Sequence, residues 1–145
     1  MKNINVILIQ SVIHDDLQLK DKNVIILDVL RATTTITTAL AHGAKEIIPT
    51  ESISTAVRVA KGSKNSLLCG ERNGKIVDGF NLGNSPFEYS PEAVKDKSLI
   101  FSTTNGTTAI IKSYGRKIFS VLAQLKHLQD FILRWNIQKH CKIVA

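Results

Sequence analysis

Short apolar runs alternate along this chain with polar, hydroxyl-rich turns and stretches of helical period. Ile4–Ile9 reads as a first strand, and His14–Lys22, with Asp15 and Asp16 solvated within it, as a polar connection. Val24–Leu27 is fully apolar and β-branched, the mark of a parallel strand covered on both faces. Thr33–His42 carries a helical pattern with Gly43 as its stop, and residues 44–49 (AKEIIP) follow as a short strand. Ser52–Lys61 repeats the scheme with a cap-like start and Gly62 at its end. Leu67–Cys69 and Leu99–Phe101 are further strands. A short helix through Ala109–Ile111 stops at Gly115, and residues 116–121 form another strand. Leu122–Trp135 is an amphipathic helix with Leu125, Leu128, Ile132 and Trp135 on one side, and Lys142–Ala145 begins one more strand. Strands alternating with helices predict an α/β domain.

Two stretches depart from this rhythm. Gly70–Pro86 holds four glycines and three asparagines and no sustained helical period, so it reads as a long irregular connection. Val77, Phe80 and Leu82 within it argue that it packs, and a loop of that length in a compact domain is functional or disordered. Asn84-Ser85-Pro86 has the form of a helix entry with proline in its first turn. The second feature is a weak internal repeat. Asn23–Thr38 and Leu99–Val121 each run apolar strand, threonine-rich turn, helix.

The repeat brings candidate chemistry. In NVIILDVLRATTTITT, Asp28 falls at the carboxyl end of a strand, Arg31 offers a planar fork of donors, and Thr33 and Thr34 open a helix. A carboxylate for a metal beside an arginine and a helix start for an anion suits phosphate esters. The plainer alternative stands equally: Asp28 caps the helix, the threonines cap and pack, and Arg31 is solvated or paired with Asp28. In the second unit Ser102–Thr108 supplies a similar hydroxyl-rich start, so two such starts could grip two anionic groups of one molecule.

Composition narrows the classes. At 145 residues and 43% hydrophobic content the chain fits one soluble domain. No apolar run approaches the roughly 20 residues of a bilayer span, and the opening residues break off too soon for a signal peptide. A cytoplasmic protein without a membrane partner is expected. Cys69 and Cys141 lack zinc-site spacing, and Cys69, after two leucines, reads as a buried thiol. From Lys112 onward seven cations face Asp130 alone, so most of the net +7 lies there. Without aromatic interleaving or a recognisable module, a solvated face, or a surface that meets another chain or a missing part of this one, is favoured over nucleic acid. A homo-oligomer is compatible with the sequence.

The order and spacing of DVLRATTT, GAKEIIP, CGERNG, GF-x-LGNSP-x-EY and TTNGT, from about Val24 to Gly115, resemble the 2-phosphosulfolactate phosphatases of coenzyme M biosynthesis. The resemblance implies a three-layer helix-sheet-helix α/β fold with a mostly parallel sheet built from two similar half-units. It also implies a Mg²⁺-dependent phosphatase that converts 2-phospho-3-sulfolactate, a small anionic phosphorylated acid, to 3-sulfolactate. Carried over, its motifs place Asp28, Arg31, Thr33, Thr34, Glu71, Arg72, Asn84, Ser85 and Thr103 to Gly106 in motif positions. Family members run longer, so residues 1–145 are expected to be one α/β domain forming the N-terminal part of a longer phosphatase domain, truncated at its C-terminus. The chain departs from the family at Asp78, where Glu is common, and at Val121–His127, where a Gly-Ser turn and a downstream Asn are missing.

The mechanism expected on this basis has catalytic Asp28, Arg31 and Asn105, with Asp28 and Glu71 holding Mg²⁺. Thr33, Thr34, Arg72, Asn84, Ser85, Thr103, Thr104 and Gly106 would bind substrate. Arg31 and Arg72 would neutralise the phosphate and sulfonate, and Asn105 would orient substrate or water. Asp28 as the nucleophile stays open. The haloacid dehalogenase type of phosphatase needs a second Asp two residues on, where this chain has Leu30, which favours a metal-activated water. The rival reading is a non-catalytic fragment that binds small anions.

Overall fold

The computed structural model describes residues 22–113 and 118–122, with 5–8, 11, 13 and 19 besides. Its elements are β1 (Asn23–Leu27), α1 (Ala32–Ala41), β2 (Glu46–Pro49), α2 (Ile53–Lys61), β3 (Ser66–Arg72), β4 (Lys75–Ile76), a 3-10 turn (Pro86–Glu88), α3 (Pro91–Val94), β5 (Ser98–Ser102), α4 (Gly106–Lys112) and β6 (Ile118–Leu122). Leu122, expected to open the amphipathic helix, ends β6 instead; the rest of that helix, the final strand, the stop at Gly115, Asp15, Asp16, Cys141 and most of the basic segment lie outside the described residues. The opening strand expected at Ile4–Ile9 does not form over its described residues 5–8. Val6 and Leu8 there stand 75% and 90% exposed, so no burial favours pairing.

The strands make two ladders. β1 pairs in parallel with β6, Asn23 opposite Ile118 and Leu27 opposite Leu122. The other runs β2-β5-β3-β4, parallel except for the short β3–β4 pair. β5 lies between two parallel neighbours and is buried along its whole length, which explains its unbroken apolar centre.

Side chains leave β5 on alternate faces. Leu99 and Phe101 join Ile36 and Ala39 of α1, Val94 of α3 and Ile110 of α4 in the larger core. Ile100 points the other way, into a smaller cluster with Ala56 and Val59 of α2 and with Phe80. Helices thus cover both faces, giving three layers and a mostly parallel sheet. Each fully buried Leu, Ile or Phe contributes about 1.5–3 kcal/mol. Tyr89 stacks on Phe101 with ring centroids 5.7 Å apart.

Local signals fix the helix ends. Ser52 Oγ accepts the Thr55 N–H at 3.1 Å to start α2, and Gly62 closes it. The stretch read as one irregular connection is more ordered than that. β3 continues to Arg72 and turns back at Asn73-Gly74 into β4, both residues at positive φ (52° and 77°) as a type I′ hairpin requires. Gly70 is needed within β3, because a Cβ there would lie 1.9 Å from the Ser102 carbonyl oxygen of β5. Among the described residues no helix is long and apolar enough to cross a membrane.

Candidate active site

The carboxyl ends of β1, β3 and β5 converge on one cleft. Its volume is about 350 Å³, and it is lined by Asp28, Leu30, Arg31, Glu71, Asn73, Gly74, Asn84, Thr103, Thr104, Asn105 and Gly106. Open α/β sheets place their ligands at this end of the strands.

Each of the two repeated units pins its strand end to its helix start. After β1, Asp28 N–H donates to Thr33 Oγ1 at 2.9 Å, and that hydroxyl donates to the Asp28 carbonyl at 2.7 Å. After β5, Thr103 N–H donates to Thr107 Oγ1 at 3.0 Å, and that hydroxyl donates to the Thr103 carbonyl at 3.0 Å. The repeat read in the sequence is therefore a repeated hydrogen-bond device. Its consequence is that Thr33 is fully buried, with its hydroxyl turned onto the loop. Thr34 likewise donates to the Val29 carbonyl at 2.8 Å.

Asp28 serves both of the readings left open by the sequence. Its Oδ2 accepts the Ala32 N–H at 3.2 Å, a capping contact at the start of α1, and the same residue lines the cleft. Arg31 also lines it, and among the described residues no carboxylate pairs with its guanidinium. Asn105 is exposed on the cleft at the start of α4.

Glu71 is a buried carboxylate held by three donors. Its Oε1 accepts Thr104 N–H at 2.7 Å, and its Oε2 accepts Gly74 N–H at 2.8 Å and the Thr104 hydroxyl at 3.1 Å. Burial by itself would raise its pKa, but the backbone bonds from Thr104 and Gly74 outweigh it, with help from the Thr104 hydroxyl and the Arg72 charge. The carboxyl sits below its ordinary value. It ties the β3–β4 hairpin to the loop after β5.

The structure brings Asp28, Arg31, Glu71, Asn84, Thr103, Thr104, Asn105 and Gly106 together and leaves Thr33, Thr34, Arg72 and Ser85 off the cleft lining. Arg72 donates to the Glu71 carbonyl at 2.7 Å and to Ser102 Oγ at 2.8 Å, bracing β3 against β5. Ser85 N–H donates to Glu88 at 3.3 Å. Sequence reasoning missed Leu30, Asn73 and Gly74. The Asn-Gly dipeptide is a strong hairpin signal and would have placed the last two.

Asp28, Glu71 and Asn84 bring side-chain oxygens to the cleft lining, and oxygen donors suit a hard divalent ion such as Mg²⁺. Among the described residues no three His, Cys, Asp or Glu gather as a metal cage. Mg²⁺ commonly manages with one or two carboxylates, waters and substrate phosphate.

Fold and cleft together define an α/β protein with a polar, mixed-charge cleft at its strand ends. The chain belongs to the 2-phosphosulfolactate phosphatase family, whose family model, 2-phosphosulpholactate phosphatase, matches residues 7–126. A protein named probable 2-phosphosulfolactate phosphatase from Caldanaerobacter subterraneus subsp. tengcongensis is 52% identical over 100 residues, which cover 68% of this chain and 42% of that protein. One of the same name from Carboxydothermus hydrogenoformans is 46% identical over 120 residues, 81% of this chain and 50% of its own length. One from Thermotoga maritima is 41% identical over 120 residues, 77% of this chain and 52% of its own length. The chain spans about half the length of these curated relatives.

Proposed function

We propose that the chain hydrolyses the phosphomonoester of 2-phospho-3-sulfolactate, releasing 3-sulfolactate and inorganic phosphate, in the cytoplasm and with Mg²⁺, as a step of coenzyme M biosynthesis. The observation that carries this reading is the meeting of Asp28 and Arg31, just after β1, with Thr104, Asn105 and Gly106, between β5 and the start of α4, around one cleft. The family's name supports this choice of substrate.

Charge supports the need for a cation. Among the lining residues two carboxylates, Asp28 and Glu71, face one arginine, so the cleft itself is net negative. A substrate bearing phosphate, sulfonate and carboxylate would be repelled from it. Asp28 and Glu71 would hold a divalent ion, which neutralises the ester and acidifies a water.

The chain's own groups do the positioning that phosphoryl transfer demands. Arg31, whose fork of donors no carboxylate among the described residues claims, binds phosphate oxygens and stabilises their charge as the P–O bond breaks. Asn105 orients the substrate or the attacking water. That water's oxygen adds to phosphorus, the bond from phosphorus to the ester oxygen breaks, and a proton passes to the leaving alkoxide. Leu30, 88% exposed where a haloacid dehalogenase type would carry its second Asp, offers no acid or base, which favours water as nucleophile. Arg72 and Ser85 act at one remove, by bracing the residues that line the cleft.

The test is phosphate release by the 145-residue chain from 2-phospho-3-sulfolactate and from other phosphorylated hydroxy acids, with Mg²⁺ and with EDTA. Mg²⁺-dependent release, fastest with the sulfolactate ester, is the expected result. Calorimetric binding without any release would leave only the non-catalytic anion-binding reading, and release undiminished by EDTA would remove the metal.

A further inference from the structure

Asn84 is 7% exposed, lines the cleft, and carries in Oδ1 a buried side-chain atom without a hydrogen-bond partner among the described residues. Buried carbonyl oxygens are rarely left so, because an unmade bond is costly. The surrounding chain makes the exception informative. Gly83 N–H donates to Glu88 at 2.7 Å, and the Gly83 carbonyl accepts the Tyr89 hydroxyl at 2.6 Å. The Asn84 carbonyl accepts Thr35 Oγ1 at 3.1 Å, and Ser85 N–H donates to Glu88 at 3.3 Å. These bonds fix the backbone on either side of the Asn84 side chain.

Such a carbonyl oxygen is satisfied by a donor, water included, or by a cation. The substrate proposed above supplies no donor, since its one hydroxyl is esterified and its other polar groups are anionic. The phosphorylated acid therefore leaves Oδ1 without a partner of its own. Asp28 and Glu71 line the same cleft and bring negative charge.

We infer that Asn84 is a ligand of the divalent-cation site, its Oδ1 a neutral oxygen donor beside the carboxylates of Asp28 and Glu71. The inference rests on the phosphatase reading and adds a residue to its ion. A neutral donor has a consequence of its own. It holds the ion without adding negative charge to a cleft that must admit a polyanion.

The test uses Mn²⁺ alone as probe, with the wild-type 145-residue chain, Asn84→Ala and Asn84→Asp. Free Mn²⁺ is read by electron paramagnetic resonance, and melting temperature is read with and without the ion. Asn84→Ala is expected to bind Mn²⁺ about 10- to 100-fold more weakly and to lose the Mn²⁺-induced rise in melting temperature. Its metal-free melting temperature should be unchanged or higher, since the variant removes an unpaired buried group. Asn84→Asp, which keeps an oxygen donor, should restore Mn²⁺ binding. Equal Mn²⁺ affinity in wild type and Asn84→Ala would overturn the inference and leave the phosphatase reading intact. A lower metal-free melting temperature for Asn84→Ala would also overturn it, by showing a structural role. Absence of Mn²⁺ binding by wild type would remove the metal from the phosphatase reading as well.

Discussion

Gly106 lies against Ala32 where the two helix starts meet: a Cβ at Gly106 would fall 2.3 Å from the Ala32 Cβ and 3.1 Å from Asp28 Oδ2. Glycine here is a packing requirement that holds the two halves of the cleft together. Gly106→Ala should destabilise the chain by about 1–3 kcal/mol through overpacking and depress phosphate release. The double variant Ala32→Gly/Gly106→Ala should recover part of the loss, less the ~1 kcal/mol that glycine costs in a helix. Urea denaturation of the four chains measures the coupling, and strict additivity would show that the two residues do not compete for space.

Asp28 and Arg31 are expected to matter for turnover more than for folding. Asp28→Asn keeps an oxygen to accept the Ala32 N–H, so its urea midpoint should stay close to wild type while Mg²⁺-dependent release is lost. Retained turnover at saturating Mg²⁺ would remove the assigned role. Arg31→Ala should lower kcat/KM by about 100-fold or more, the scale of losing one charged stabiliser of the transition state, with Lys at that position restoring part.

Glu71 should make the fold acid-sensitive. Its carboxyl is below its ordinary value in the folded chain, so the unfolded state takes up its proton first as pH falls. Its contribution is full above the unfolded value and is lost as pH drops through the folded one. Denaturation midpoints measured from pH ~7 down to ~3 should fall in wild type and fall less steeply in Glu71→Gln. Equal slopes would assign the acid sensitivity elsewhere.

What the sequence revealed and what it hid follows from the range of the interactions. Asp28 at a strand end and the repeated unit were legible because an apolar run and its hydroxyl-rich turn are contiguous. The alternation of Leu99, Ile100 and Phe101 between two cores was hidden by a strand apolar on both faces. Whether Thr33 faced a ligand or its own loop could not be read, since either use demands the same hydroxyl. The Asn84 oxygen was still further out of reach. Its isolation depends on Thr35, Glu88 and Tyr89 fixing the backbone around it, contacts that no spacing encodes. The hairpin at Asn73-Gly74 was legible in principle, and the glycine-rich context masked it.

Cys69 is free and fully buried, and burial pushes its thiol up to about 12. A thiol held protonated and out of contact with solvent is a poor nucleophile. In a Cys141→Ser chain, Ellman's reagent should find no fast-reacting thiol under native conditions and one after denaturation. A native thiol reacting at the rate of a free cysteine would contradict its place in the core.

Arg72 should show the opposite division from Arg31. Its guanidinium donates to the Glu71 carbonyl, Ser102 Oγ and, at 3.4 Å, the Glu51 carbonyl, thereby joining β3, β5 and the turn before α2. Arg72→Ala would leave those acceptors unpaired around a half-buried site, a loss of about 1.5–3 kcal/mol for bonds to a charged group. The resulting fall in turnover should track the unfolded fraction. At temperatures where the variant remains folded, kcat should return toward wild type. A kcat that stays low in the fully folded variant, with a normal urea midpoint, would instead put the Arg72 charge on the substrate, beside Arg31.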